Sequence, residues 1–150
     1  RVLFRSGAAS HIDPNSFLVW FDSRRTPRVE NRPPPPHAVA AAVVGIGGQE
    51  RVLIDGRPRP GTQTLPDRRT LLAFNASTRT LYLAVFERAS YHAAAEVIAG
   101  LGATDGIMLD GGSSSAMALG PEARNVRGGR VFGDRRPVAN HFGVKAMPLP

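Results

Sequence analysis

The chain has 150 residues, 42% of them hydrophobic, a formal net charge of +7 and no cysteine. That length accommodates one domain with a sizeable core. The lack of cysteine excludes disulfides, thiolate catalysis and cysteine-ligated zinc, and no apolar run reaches the roughly 18 residues of a transmembrane helix. The basic charge is nearly all arginine, with Lys145 the only lysine. A basic surface attracts nucleic acid, anionic lipid or phosphorylated substrates. Here the arginines are scattered, in a chain also rich in Ala, Gly and Pro, and GC-rich coding accounts for them better than polyanion binding. The chain opens at Arg1 in mid-pattern and reads as a fragment or a processed product.

Residues 1–37 are poorly patterned and read as an N-terminal segment with a proline-rich linker, ahead of a domain over 38–150. Within that segment Phe17-Leu18-Val19-Trp20-Phe21 has the makings of a short buried strand, and Ser23 to Arg32, polar and basic, reads with the proline run as a linker or long loop. Pro33 to Pro36 favour polyproline II and cannot join a sheet interior. A ligand for a proline-recognising module is the less favoured reading of that run. Ala38 to Ile46 is a small apolar run ending at Gly47-Gly48, and Arg51 to Ile54 reads as a strand closed by an Asp55-Gly56 turn. Arg57 to Asp67 holds three prolines and reads as a surface loop.

Thr70 to Phe74 and Thr80 to Phe86 are β-rich runs separated by five residues, which predicts a hairpin. Apolar residues on both faces of the second run predict a central strand. Ser90 suits a helix N-cap, and Ala94, Val97, Ile98 and Leu101 fall on one helical face. Gly102 is placed to end that helix in a left-handed cap. Ile107-Met108-Leu109 then forms a short buried strand that stops at Asp110-Gly111-Gly112. Ala116 to Leu119, Arg130 to Phe132 and His141 to Ala146 read as further strands, with Pro121 to Gly129 a loop. The expected class is α+β: a mixed, mainly antiparallel sheet with one or two helices packed on it.

A carboxylate at a strand end, followed by two glycines and three serines, is chemically loaded. Glycines let the backbone approach a ligand closely, their N–H groups can bind an anion, and serine hydroxyls both donate and accept. The set suits a sugar or a phosphate better than an apolar ligand. It is neither a Walker motif nor a nucleophile elbow. The bland alternative is a tight turn whose Asp110 is satisfied by backbone N–H groups.

The stretch from Glu96 to Met117, centred on Leu109-Asp110-Gly111-Gly112-Ser113-Ser114, resembles the signature of the phosphodiester glycosidase family. That signature is a helix, Leu-Gly-Ala, an Asp-Gly-Gly-Gly-Ser turn and a small-residue strand. Val52-Leu53-Ile54-Asp55-Gly56, Arg68-Arg69-Thr70 and Arg136-Pro137-Val138-Ala139-Asn140 resemble three further family segments in order and spacing. The resemblance covers roughly residues 38–146. It departs at Ser113, where the family has Gly, at Glu87-Arg88, where it tends to have Asp-Gly, and in residues 1–37, where its Asn-Gly-Phe-Phe-like motif is not recognisable.

The resemblance implies a hydrolase that cleaves a sugar phosphodiester or related glycosidic bond. It further implies a carbohydrate or sugar-phosphate substrate and an extracellular or periplasmic location, with envelope or exopolysaccharide targets. A non-catalytic carbohydrate- or phosphate-binding module is the alternative, and a specific nucleic-acid binder ranks last for want of interleaved aromatics. Arg69 and Arg136 are the candidate phosphate ligands, since guanidinium binds phosphate oxygens in bidentate fashion and keeps its charge. Their alternative is ion pairing with Asp67 or Asp134. Asp110 is the candidate general acid or base, ligand-orienting group or metal ligand, with Glu87 as its partner carboxylate. Gly111, Gly112, Ser113 and Ser114 would bind substrate or merely cap the turn. Asn140 would bond a sugar hydroxyl or hold the Asp110 loop, and Thr70 would support its strand more than touch substrate. No cofactor is expected. A hard divalent cation at Asp110 needs only oxygen ligands, but His11, His37, His92 and His141 show no metal-ligand spacing.

Overall fold

The computed structural model describes residues 3–5, 15–120, 130–133, 137 and 142–145. In chain order the elements are β1 (Leu3–Arg5), β2 (Phe17–Phe21), β3 (Pro27–Glu30), α1 (Pro36–Ala41), β4 (Val44–Gly48), β5 (Glu50–Ile54) and β6 (Arg57–Pro58). They continue with β7 (Asp67–Asn75), β8 (Thr80–Ala89), α2 (Tyr91–Gly100), β9 (Asp105–Met108), β10 (Ala116–Leu119), β11 (Arg130–Gly133) and β12 (Gly143–Lys145). The class is α+β, and every strand pairing among the described residues is antiparallel.

A five-stranded sheet runs in the order β6-β5-β9-β7-β8, and a three-stranded sheet in the order β3-β2-β4. The period-two alternation of β7 builds two cores from one strand. Leu71 and Ala73 face α2, joining Tyr91, Ala94, Ala95, Ile98 and Met108. Leu72 and Phe74 face the other way and join Ile107 with Val19, Phe21 and Val44 of the smaller sheet. On the outer side of that sheet, Leu18 and Trp20 pack against Ala38 of α1. The layers are therefore helix, five-stranded sheet, three-stranded sheet, helix. β10 pairs with β11, and β1 with β12.

The predicted hairpin is β7–β8. Its loop is a residue shorter than expected because Asn75 pairs with Thr80, and Asn75 Oδ1 accepts from the backbone N–H groups of Ser77 and Thr78. Ser90 caps α2 by accepting from Ala93 N at 3.2 Å. Gly102, at φ +96°, closes the helix with Ala103 N donating to Ile98 O and Gly102 N to Ala99 O.

Three expectations are corrected. The second hairpin strand is not central: β8 is an edge of the sheet among the described strands. Its two apolar faces reflect covering layers on both sides, with Tyr82, Ala84 and Phe86 under α2 and Leu81 on the opposite core. The buried helical face is Tyr91, Ala94, Ala95 and Ile98, while Val97 and Leu101 are 54% and 63% exposed. The same i, i+3, i+4, i+7 pattern simply starts three residues earlier, at the aromatic ring. Finally, the polar stretch before the proline run is not all loop. Pro27 to Glu30 form an edge strand on β2, and Pro36 opens α1 at a position where its missing N–H costs nothing. β2 also pairs with β4, joining the first segment of the chain to residues 44–48. The predicted Pro121 to Gly129 loop lies outside the described residues, as do His141 and Ala146 beside β12. No helix among the described residues is long and apolar enough to cross a membrane.

Gly48 seats β4 on β9. A Cβ there would lie 2.6 Å from Ile107 Cδ1 and 2.8 Å from the Met108 carbonyl oxygen. Gly48→Ala is expected to destabilise the fold by about 1–3 kcal/mol, read as a lower urea midpoint at unchanged slope.

Candidate functional site

Because β9 runs antiparallel to both β5 and β7, its C-terminus lies beside their N-termini. The start of α2 reaches the same end of the sheet, following β8 back along β7. Leu109 continues the ladder, its N–H donating to the Thr70 carbonyl at 2.8 Å. The chain then leaves the sheet and exposes Asp110 to solvent. Asp110 Oδ1 accepts from Gly111 N at 2.9 Å and from Gln49 Nε2 at 3.3 Å. Gly111 is pressed onto β7, where a Cβ would meet the Arg68 carbonyl at 3.0 Å and Arg69 Nη1 at 3.2 Å. Gly112 takes φ +58° and starts a short 3-10 turn, Gly112–Ser114.

Arg69 lies under this bend and is only 6% exposed. Its Nε donates to the Ala89 carbonyl at 3.2 Å and its Nη2 to the Leu65 carbonyl at 3.0 Å. The guanidinium carbon sits 4.8 Å from the centre of the Tyr91 ring, a favourable cation–π placement. It has no carboxylate partner among the described residues. The alternative of an ion pair with Asp67 is not seen: Asp67 Oδ1 accepts from the backbone N–H of Arg68 instead. A buried cation held only by neutral groups is under-compensated, and its Nη1 edge faces the glycine bend.

Thr70 Oγ1 donates to the hydroxyl of the fully buried Ser115 at 2.9 Å, which ties β7 to the segment after the turn. Glu87 is exposed and pairs with Arg68 at 3.2 Å. An open cleft of about 400 Å³ runs beside the turn, lined by Pro66, Asp67, Arg68, Glu87, Arg88, Gly112 and Ser113. Ser113 is exposed and Ser114 half-buried. The structure thus gathers Arg69, Thr70, Asp110, Gly111, Gly112, Ser113 and Ser114 at one end of the sheet, with Glu87 across the cleft. Arg136 and Asn140 lie outside the described residues. No group of three or more His, Asp or Glu side chains capable of holding a metal ion occurs among the described residues.

The phosphodiester glycosidase family model matches residues 8–145. The chain belongs to the phosphodiester glycosidase family. No curated relative matches it. The match takes in β2 and β3, which precede the stretch where the family's motifs are legible.

Two residues at this end of the sheet escaped sequence reasoning. Gln49, between β4 and β5, bonds Asp110, and Tyr91 donates its hydroxyl to Gln49 Oε1 at 2.7 Å. Neither stood in a motif; the sole hint was a polar residue directly after Gly47-Gly48. Burial pushes the Tyr91 pKa above its ordinary value of 10.0; the positive charge of Arg69 opposes this, and the negative charges of Glu50 and Asp110 add to it. The fold thus favours the neutral phenol. Its contribution is complete below the unfolded pKa and is lost as pH rises from about 10 through the higher folded value. Stability measured by denaturant titration should therefore fall above pH 10, and Tyr91→Phe should flatten that fall.

Proposed function

We propose that the domain hydrolyses a sugar 1-phosphodiester, with Asp110 as the carboxylate at the reacting carbon and Arg69 holding the phosphate. The observation that carries this reading is Arg69 itself. It is buried, it lacks a carboxylate partner among the described residues, and it presents Nη1 at the Gly111 bend beside an exposed acid. A phosphate oxygen supplies the charge-assisted partner that the guanidinium lacks. Gly112 and Ser113 line the cleft beside the turn, with Gly111 and Ser114 next to them in the chain. Arg136 and Asn140 enter on the family resemblance alone, as a second phosphate ligand and as a support or hydroxyl ligand. An envelope or exopolysaccharide substrate, and work outside the cytoplasm, rest on that resemblance too.

The chemistry also explains why one carboxylate serves. In the reaction the bond between the anomeric carbon and the phosphate oxygen breaks, and the electron pair leaves with the phosphate. Water adds to the oxocarbenium-like carbon, and its proton passes to Asp110. A phosphomonoester, with a second pKa of about 6, departs without a proton donor when a guanidinium offsets its charge. The role of Glu87 is then to shape the cleft through its pair with Arg68 rather than to donate a proton. Asp110 Oδ1 is held by two donors, while Oδ2 has no hydrogen-bond partner among the described residues and is open to water.

With UDP-N-acetylglucosamine as probe, Asp110→Asn should lower kcat for sugar release by about two orders of magnitude and leave the melting temperature nearly unchanged. Inorganic phosphate should inhibit competitively. Equal turnover by wild type and variant removes the catalytic assignment. The non-catalytic reading draws support from Ser113 in place of the family's glycine, and sugar-phosphate binding without turnover would decide for it.

A further inference from the structure

Gln49 has no part in the chemistry above, yet it is held on three sides. Its backbone N–H donates to the Met108 carbonyl at 2.8 Å, two residues before Asp110. Gly48 before it presses so closely on β9 that no Cβ fits. Its side chain spans 3.3 Å to Asp110 on one side and 2.7 Å to Tyr91 on the other. Tyr91 is itself fixed: its N–H donates to the Gln63 carbonyl at 3.0 Å, its Cβ lies against Gly61, and its ring lies against the Arg69 guanidinium.

From this arrangement we infer that Gln49 is the positioning residue for Asp110. Tyr91 holds Gln49 in turn, so that the carboxylate and the Arg69 guanidinium are set by one chain of contacts. The inference rests on the reading of Asp110 and Arg69 given above. The donor logic is strict. An ionised carboxylate only accepts, so the Gln49 amide must offer it Nε2. That leaves Oε1 facing Tyr91, which must then donate, and a protonated phenol can. The reversed amide would set Oε1 against Asp110 Oδ1, two acceptors in contact. A neutral donor also restrains Oδ1 without neutralising the carboxylate, as an arginine there would, and it leaves Oδ2 to meet water. The ring of Tyr91 transmits the arrangement to Arg69, so the anion-holding and water-activating groups share one anchor in the first turn of α2.

A residue of this kind acts on turnover rather than on binding. Gln49→Met keeps the length of the side chain and Tyr91→Phe keeps the ring on Arg69, so both variants retain the packing. In the full chain, with UDP-N-acetylglucosamine, Gln49→Met should lower kcat roughly tenfold or more with KM little changed. Tyr91→Phe should lower it less, and the double variant should match Gln49→Met alone, because both changes cut the same chain. A raised KM at wild-type kcat, or additive losses, would overturn the inference. A second readout needs no turnover. In ¹⁵N-labelled protein the Gln49 side-chain amide resonances should shift in Asp110→Asn and again in Tyr91→Phe. Unmoved resonances overturn the chain of contacts whatever the activity. Shifted resonances in a protein that releases no sugar uphold the chain of contacts and defeat the hydrolase reading instead.

Discussion

Strand β9 is paired on both edges and covered on both faces, and the site is registered to the point where it stops. Ile107 and Met108 are fully buried on opposite faces, in different cores. A slip of one residue would exchange those faces and would also aim Asp110 into the sheet. The flanking ladders to β5 and β7 forbid it, as does Gly106, where a Cβ would lie 2.9 Å from Ala73 Cβ. The acid is thus placed by hydrophobic register on the protein side and released to solvent by glycines on the other. Neither device depends on a bound ligand.

The second element of the site is more costly. Taking a guanidinium out of water carries a penalty of several kcal/mol. Two carbonyls and an aromatic ring offset part of it for Arg69. A carboxylate partner would offset more, but it would also consume the charge. Asp67 is close enough to the bend that its Oδ2 would lie 3.7 Å from a Cβ on Gly112, yet its other oxygen bonds the Arg68 backbone. Arg68 in turn engages Glu87. Neighbouring arginines on one strand therefore have opposite fates, dictated by the pleat. Arg68 points to the open cleft and pairs with an acid there, while Arg69 points inward and has no carboxylate partner among the described residues. In a folded protein such a residue is costly, and an anion that bound it would stabilise the domain.

The sequence made legible whatever depends on neighbours along the chain. The β7–β8 hairpin follows from period-two alternation and the Asn75 turn, α2 from Ser90 and Gly102, and the exposed acid from the glycines behind Ile107 to Leu109. What it hid depends on layers or on distance. Apolar residues on both faces of β8 signalled two covering layers, not a central place in the sheet. Pro27 to Glu30 looked like loop because an edge strand tolerates proline. Gln49 stands 61 residues from Asp110 and Tyr91 stands 42 from Gln49, so their contacts leave no local pattern. The bulk of the site, by contrast, sat in motifs, since glycine bends and strand ends are local features.

The topology also constrains what the site can do. Four separate segments meet at one end of the sheet: the β4–β5 junction, the start of β7, the end of β9 and the first turn of α2. Each contributes a different kind of group, respectively an amide, a guanidinium, a carboxylate and a phenol. The carboxylate and the amide both stand on bends next to glycines, but the amide is held by its Met108 and Tyr91 contacts, and the guanidinium and the phenol are braced by regular structure. That division suits a reaction in which one charged partner must stay fixed while the other meets water. It also means that the guanidinium cannot be exchanged for lysine without loss. An ammonium has no planar fork with which to satisfy both carbonyls, lie along the Tyr91 ring and still present an edge to a ligand. The preference for arginine at position 69 is therefore a geometric requirement of the buried site, separate from the arginine-rich composition of the rest of the chain.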